Sequence, residues 1–502
     1  MRKKLAVFAV LAIVGTGMAK PMLVINEDND HYFKLDASLM TESALKDYAY
    51  DIFRGPVTHF FMCPQGQRAS YASKVWEPIW AGLDEPDRDG KTNNIWCVNA
   101  KNLHDAGINP YNVWITCARE KGVSPWMSMR MNDVHFCTIS NYFRNTTFWK
   151  TRVDLRRSGQ EKGQWELFCF DYAKKEVRDY HLAMAKELID MYDVDGLELD
   201  WLRFMGYFKP GRARSDAHFL TEFISDVRRH ADEVGARRGR RIALGVRVAA
   251  MPEGGLLVGL DPVDWAAKGL VDLVVVCNNH MQSDFNIPFR EWKARLKAVA
   301  PSVKVLPGTD HKYGCGVPRQ MQYMTAELYR GWADSLIAQG ADGLYLFNMP
   351  YNTKAIRDEI YGKGLSPKAV RAGSRRYLVT RHDTLPRGGI PCHCLPQKVS
   401  GGTYATLQIG TPASADGTCE VVVGFDVDDP ALAGAVTCLN GEAPTEAPHR
   451  IDGKTLGGKD RPCAVAYAYR FPGGVCVAGA NAVSMKAMET KASLTWCEMR
   501  IK

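Results

Sequence analysis

Between about residue 40 and residue 350, short apolar runs alternate with amphipathic stretches, and no other feature limits the fold so strongly. Such alternation is the signature of β-α units on a parallel sheet. Eight strands are expected: Val57–Cys63, Ser124–Met131, Leu167–Phe170, Val194–Asp200, Ile242–Val248, Leu270–Cys277, Val303–Pro307 and Gly343–Asn348. The run Leu270 to Cys277 is almost continuously apolar, as a strand covered on both faces must be. Helices are expected between them at Pro110–Lys121, Lys174–Met191, Asp216–Val234, Asp261–Lys268, Phe289–Val299 and Gln320–Gln339. Asp261-Pro262 supplies a side-chain cap followed by proline at the first helical position. Eight units in one chain make an α/β fold of the (β/α)8 barrel type the leading architecture. A doubly wound open sheet is the alternative, but Cys63-Pro64-Gln65-Gly66 is not the Gly-rich phosphate loop it would bring.

The texture changes after about residue 372. Tyr377 to Lys502 carries short alternating runs such as Cys419–Phe425 and Val465–Tyr469, with little helical periodicity. An all-β sandwich of residues 373–502 is therefore expected behind a barrel of residues 20–372. The first 19 residues read as an export signal. Arg2, Lys3 and Lys4 precede the apolar run Leu5–Val14, and Gly17-Met18-Ala19 forms a small-x-small cleavage site. Ten apolar residues are too few to span a bilayer. A periplasmic or secreted protein with no membrane span in its mature chain is expected, the rival being an uncleaved anchor.

Export makes the 14 cysteines a question. Their spacing gives no scaffold pattern, and Cys169 and Cys277 lie inside apolar runs where a buried free thiol is the simpler reading. Cys392-His393-Cys394 has no second ligand pair at zinc spacing, so neither metal nor cofactor is expected. A net charge of +8 over 502 residues is too mild and too dispersed to point to nucleic acid. Nothing in the sequence fixes the oligomeric state.

In a (β/α)8 barrel the chemistry gathers at the C-terminal ends of the strands. The most informative end is Asp193-Val194-Asp195-Gly196-Leu197-Glu198-Leu199-Asp200-Trp201-Leu202-Arg203. Alternation turns Leu197 and Leu199 toward the helices and Glu198 and Asp200 into the barrel. Inward carboxylates must be paired or employed. Arg130 and Arg247 also point inward; Glu198, one layer deeper, is expected to be held by Arg247, leaving Asp200 at the rim as the catalyst. Other strand ends add Asn132, Asp133 and His135, then Glu253, Asn278 and His280, then Asp310 and His311, and finally Asn348. With Trp201 and Arg203, this mix of carboxylates, amides, imidazoles and indoles suits a polyhydroxylated ligand. The long connection from Pro64 to Pro110, carrying Trp76, Trp80 and Trp96, is expected to follow the first strand on the catalytic face.

The segment DVDGLELDWLR and the barrel around it, over roughly residues 45–350, resemble exported bacterial glycosyl-hydrolase-like TIM-barrel proteins. The core is also similar to the DG-x-D-x-D-x-E motif of family-18 chitinases, but that family's acid falls at Leu202, so the chitinase mechanism is not expected. In several α-glycosidase clans an aspartate ends the fourth strand as nucleophile and a β-sandwich follows the barrel, which by analogy gives that role to Asp200. The resemblance implies hydrolysis of a poly- or oligosaccharide by two carboxyl groups. Asp200 is then the nucleophile and Asp310, or else Glu253, the acid/base, with Glu198 behind them. A glycan-binding barrel that does not cleave is the alternative, and a hydrolase or lyase assisted by metal at Asp133/His135 or Asp310/His311 a third.

Overall fold

The computed structural model describes residues 21–157, 165–278, 283–314, 321–380, 395–399, 404–456, 462–486, 488 and 490–502. Eight parallel strands close into a barrel: β1 (Met22–Glu27), β2 (His59–Met62), β3 (Ser124–Arg130), β4 (Gly196–Asp200), β5 (Ala243–Ala249), β6 (Leu273–Cys277), β7 (Lys304–Thr309) and β8 (Gly343–Phe347). The fold is a TIM barrel. The closing strand is β1, paired in parallel with β2 on one side and β8 on the other.

Two strand assignments change. Leu167 and Phe168 belong to a 3-10 turn, Trp165–Phe168, rather than to the sheet. The missing strand is Met22–Glu27, hidden in the sequence by the apolar run that precedes it. The long connection from Pro64 to Pro110 consequently follows the second strand. The helices fall close to their expected places, including Pro110–Glu120, Lys175–Met191, His218–Arg238 and Phe289–Val299. Asp261 caps Pro262–Ala267 by accepting from the Asp264 N–H at 3.0 Å. One helix starts later than its pattern, at Ala326, because the Thr325 hydroxyl caps it.

The barrel interior fills in layers. Trp126 lies at the bottom, stacked on Phe61 with ring centroids 4.7 Å apart. Gly196 and Gly245 on the next two strands leave room for its indole; a Cβ on Gly196 would fall 2.5 Å from the ring. Above it lie Ser128, Glu198 and Tyr345, then Arg130, Asp200 and Arg247 at matched register. Leu197 and Leu199 face outward into the helix-packed core, as alternation requires.

The C-terminal region is a two-sheet antiparallel sandwich. Arg375–Leu378, Ser493–Ile501, Thr418–Phe425, Val465–Pro472 and His449–Asp452 pair in that order in one sheet, and Tyr404–Ile409, Gly479–Met485 and Val436–Leu439 in the other. Val421, Val423 and Met499 share a core with Leu407, Leu439 and Val483. On the outer face of the larger sheet, Val422, Ala466, Ala468 and Trp496 join the barrel's own core. Asp334, buried on the helix Ala326–Ala338, accepts from the Tyr377 hydroxyl at 2.6 Å and the Thr411 N–H at 2.6 Å, fixing one unit to the other.

Cys169 and Cys277 are buried free thiols. Cys392-His393-Cys394, residues 1–19 and His280 lie outside the described residues. No described helix is long and apolar enough to cross a membrane.

Candidate active site

A cavity of about 550 Å³ opens at the C-terminal ends of the strands. Two of its acids follow β1, the strand hardest to see in the sequence, and Asp87 and Asp89 line it from the long connection after β2. Asp28 and Asp30 follow directly on Glu27 and line the crater together with Asn29. Arg130, ending β3, forms an ion pair with Asp28 and donates to Asp133 at 2.7 Å. Burial pushes the Asp28 carboxyl up, but Arg130, His31 and Arg203 together outweigh it and hold the group below its usual range. Asp30 pairs with Lys34, which together with His31 keeps it ionised against a similar burial penalty.

Three imidazoles in this mouth each present Nδ1 to a carboxylate. His31 bonds Glu27 at 3.1 Å, His135 bonds Asp133 at 2.7 Å, and His311 bonds Asp310. Such a contact fixes ring orientation and tautomer. The three differ in what Nε2 meets. That of His31 meets the Asn348 side-chain oxygen at 3.1 Å, while the Asn348 amide donates to Asp310 at 3.1 Å, so Asn348 ties β1 to β7. Burial works against a charged His31, yet Glu27, Asp30 and Asp28 raise its pKa to about 9. Burial lowers His135 to about 3 despite Asp133, and its Nε2 accepts from Arg203 at 3.1 Å. The Nε2 of His311 has no hydrogen-bond partner among the described residues, and His311 lines the crater beside Tyr351, with ring centroids 5.3 Å apart.

Several sequence-derived candidates therefore converge: Arg130, His135, Arg203, His311 and Asn348 form the crater wall. Asp133 lies behind them, buried, holding Arg130, Arg144 and His135. Asp310 likewise lies behind His311 and Asn348.

Others need correction. Asp200 is not at an open rim: it is 1% exposed, accepts from Arg247 at 2.8 Å and from the Leu202 N–H at 3.0 Å, and does not line the crater. Arg247 therefore serves Asp200 rather than Glu198, because the strand register sets Gly245 opposite Glu198 and Arg247 opposite Asp200. Glu198 is instead held by the Ser128 hydroxyl at 2.6 Å and the Tyr345 hydroxyl at 2.9 Å, and burial, with Asp200 nearby, raises its pKa to about 7. Glu253 lies on the short helix Pro252–Leu257, its side chain 51% exposed and paired with Arg295, beside a separate groove. Trp201 turns away into an aromatic core with Tyr172, Tyr207 and Phe223. Asn132 binds backbone alone, donating to the Phe170 and Gly206 carbonyls and accepting the Phe170 N–H. Asn278 is buried away from the crater with neither end of its amide bonded. Of the three indoles in the long connection, Trp96 alone reaches the crater, under the Arg144 guanidinium at 5.0 Å; Trp76 stacks on Tyr180 and Trp80 on His104.

The overlooked residues are Asp28, Asn29, Asp30, His31 and Arg144. The first four end the polar run Asn26–His31 that follows the apolar Met22–Ile25, a signal that becomes readable once the apolar run is taken as a strand. Asp28, Asp30 and His31 also bring ligand atoms within 4.8 Å of one another. A cation there would have to displace Arg130 and Lys34, and His31 already bonds Glu27 and Asn348.

No family model and no curated protein matches this chain. Several solved structures are similar to it at low identity. The PgaB (BpsB) glycoside hydrolase domain from Bordetella bronchiseptica is 11% identical over 69% of this chain and 99% of that one, with a TM-score of 0.43. The alpha-L-fucosidase isoenzyme 2 from Paenibacillus thiaminolyticus is 11% identical over 70% of this chain, which spans only 50% of its length, at a TM-score of 0.42. The GH20 beta-N-acetylhexosaminidase from Streptomyces coelicolor A3(2) is 12% identical over 71% and 64% of the two chains, at 0.41. These neighbours are glycoside hydrolases. Likenesses this distant concern the barrel and leave the chemistry to the crater itself.

Proposed function

We propose that this protein is an exported glycoside hydrolase acting on a poly- or oligosaccharide in the crater. The observation behind the reading is that an ionised carboxylate, Asp28, and an imidazole nitrogen without a hydrogen-bond partner among the described residues, Nε2 of His311, belong to the wall of one cavity. Glycosidic cleavage needs one group to protonate the departing oxygen and another to support the anomeric carbon. His311, starting as imidazolium with its Nδ1–H held by Asp310, gives its Nε2 proton to the departing oxygen as the C–O bond breaks and is left as neutral imidazole. Water adds its hydroxyl to the anomeric carbon, and Asp28 takes the proton it releases. Two carboxyl groups thus share the work, one directly and one through an imidazole. Asp200 and Arg247 pair with each other in the buried layer behind the crater. Export rests on the basic and apolar run at the N-terminus.

The second reading, a glycan-binding barrel without turnover, is favoured by one fact: Asp28 and Asp30 are each already engaged in an ion pair. A screen of polysaccharides and oligosaccharides for new reducing ends, run with wild type and Asp28→Asn, separates the two. Product from the wild type that the variant fails to make supports hydrolysis. Calorimetric binding without product selects the binding barrel. Turnover undiminished in Asp28→Asn removes Asp28 from the mechanism.

A further inference from the structure

Arg203 is the anomaly of the crater. It follows β4 directly, is 6% exposed, and no carboxylate among the described residues pairs with it. Among the described residues its one hydrogen bond runs from Nη2 to His135, and its buried Nε has no partner. The nearest charges explain why it is left over. Asp28 is taken by Arg130 and Asp200 by Arg247, and the same two arginines repel the Arg203 guanidinium. Asp28 and Asp200 still act on it through space, but a buried guanidinium without an ion-pair partner of its own is unfavourable in a free protein.

Arg203 is not alone. Arg144 lines the crater with its Nε also unpartnered and only a 3.3 Å contact to Asp133. Lys312 lines it too, its ammonium over the Tyr323 ring at 4.8 Å and not in an ion pair among the described residues. Beside Arg144 the Asn29 amide is buried with neither end bonded; a Cβ on Gly66 would meet Arg144 at 3.1 Å and Asn29 at 3.2 Å. The wall thus offers cationic donors and an amide that the protein does not satisfy.

We infer that the crater binds a glycan carrying an oxyanion, either a uronic carboxylate or a sulfate ester, and that Arg203 with Arg144 holds that group. A planar oxyanion accepts two parallel N–H bonds from a guanidinium, and a sulfate presents the same oxygen edge. Asn29 then takes a hydroxyl of the same sugar. The inference rests on the carbohydrate reading above and adds the substrate class.

Calorimetric titration of the full chain at low and high salt tests it, using oligogalacturonate, a sulfated oligosaccharide and an uncharged oligosaccharide of equal length, with inorganic sulfate as a fourth probe. An acidic glycan should bind at least tenfold more tightly than the uncharged one, and more weakly at high salt. Arg203→Gln should abolish that preference, and Arg203→Lys should restore part of it. Removing an unpaired buried charge should leave the melting temperature of Arg203→Gln at or above the wild-type value, so lost binding is not lost folding. The stronger of the carboxylated and sulfated probes identifies the oxyanion. Equal binding of the uncharged glycan, or a preference that survives Arg203→Gln, overturns the inference, and so does failure of every anionic probe to bind. Cleavage of an uncharged glycan alone would overturn it while leaving the hydrolase reading intact, whereas acidic binding without product supports it and sinks hydrolysis.

Discussion

Arg247 and Asp200 face each other across adjacent barrel strands, 2.8 Å apart and both sealed from solvent. The pair lies buried in the barrel interior, and Arg130 at the neighbouring register position pairs with Asp28 instead. Breaking such a pair from one side leaves a buried charge uncompensated, which is worth about 3–5 kcal/mol. Asp200→Asn should therefore lower the stability of the ligand-free protein by that order, read by chemical denaturation at neutral pH. A loss below about 1 kcal/mol would show that Arg247 finds water or another acceptor.

The Glu198 carboxyl carries a different signature. Its folded pKa of about 7 lies above the 4.5 of the free side chain, raised by burial and by Asp200. The folded protein keeps a proton there that the unfolded chain releases, so this group's contribution to stability declines as pH rises from 4.5 to about 7 and is level beyond. Glu198→Gln, which retains an oxygen to accept from Ser128 and Tyr345, should flatten that decline and raise the melting temperature at pH 8. Melting curves between pH 5 and pH 8 supply the check; parallel wild-type and variant profiles would place the proton elsewhere.

His31 loses its contribution in the same direction, over a higher pH window. Its folded pKa of about 9 exceeds the ordinary 6.5, burial being outweighed by Glu27 and the neighbouring aspartates. Its stabilising contribution is complete below 6.5 and disappears as pH climbs through about 9. His31→Asn should lose stability at pH 6 and differ little from wild type above pH 9.5. Urea unfolding at those two pH values decides it.

The proton route predicts a shared loss. A positioned general acid contributes roughly 10²–10⁴-fold to rate. His311→Ala should reduce kcat on the cleaved glycan within that range while KM changes little. Asp310→Asn, which disturbs the Nδ1 contact, should fall in the same range, and the double variant should be scarcely worse than either single one. Additive losses would mean that the two residues act separately.

Much of the fold was readable because the relevant rules are local. Period-2 alternation turned Glu198 and Asp200 inward, and the cap at Asp261 and proline at Pro262 marked a helix start. The strands from β2 to β8 were legible, as was the change to antiparallel β structure near residue 375. The crater was only partly legible. Arg130, His135, Arg203, His311 and Asn348 were found because each ends or follows a strand, but Glu253 and Trp201 obey the same positional rule and face elsewhere.

The sequence by itself determined which side chains enter the barrel and at which end the polar ones collect, since both follow from backbone periods of a few residues. Only the tertiary structure decided who pairs with whom. Arg247 meets Asp200 and not Glu198 because of the register between β4 and β5, a relation between segments 47 residues apart in the chain. Asp28 enters the crater because five residues near the start of the chain pair with β8, more than 300 positions away. Hydrogen bonds and charges act through space over a few ångströms, so such distant partners become fixed only when the barrel closes.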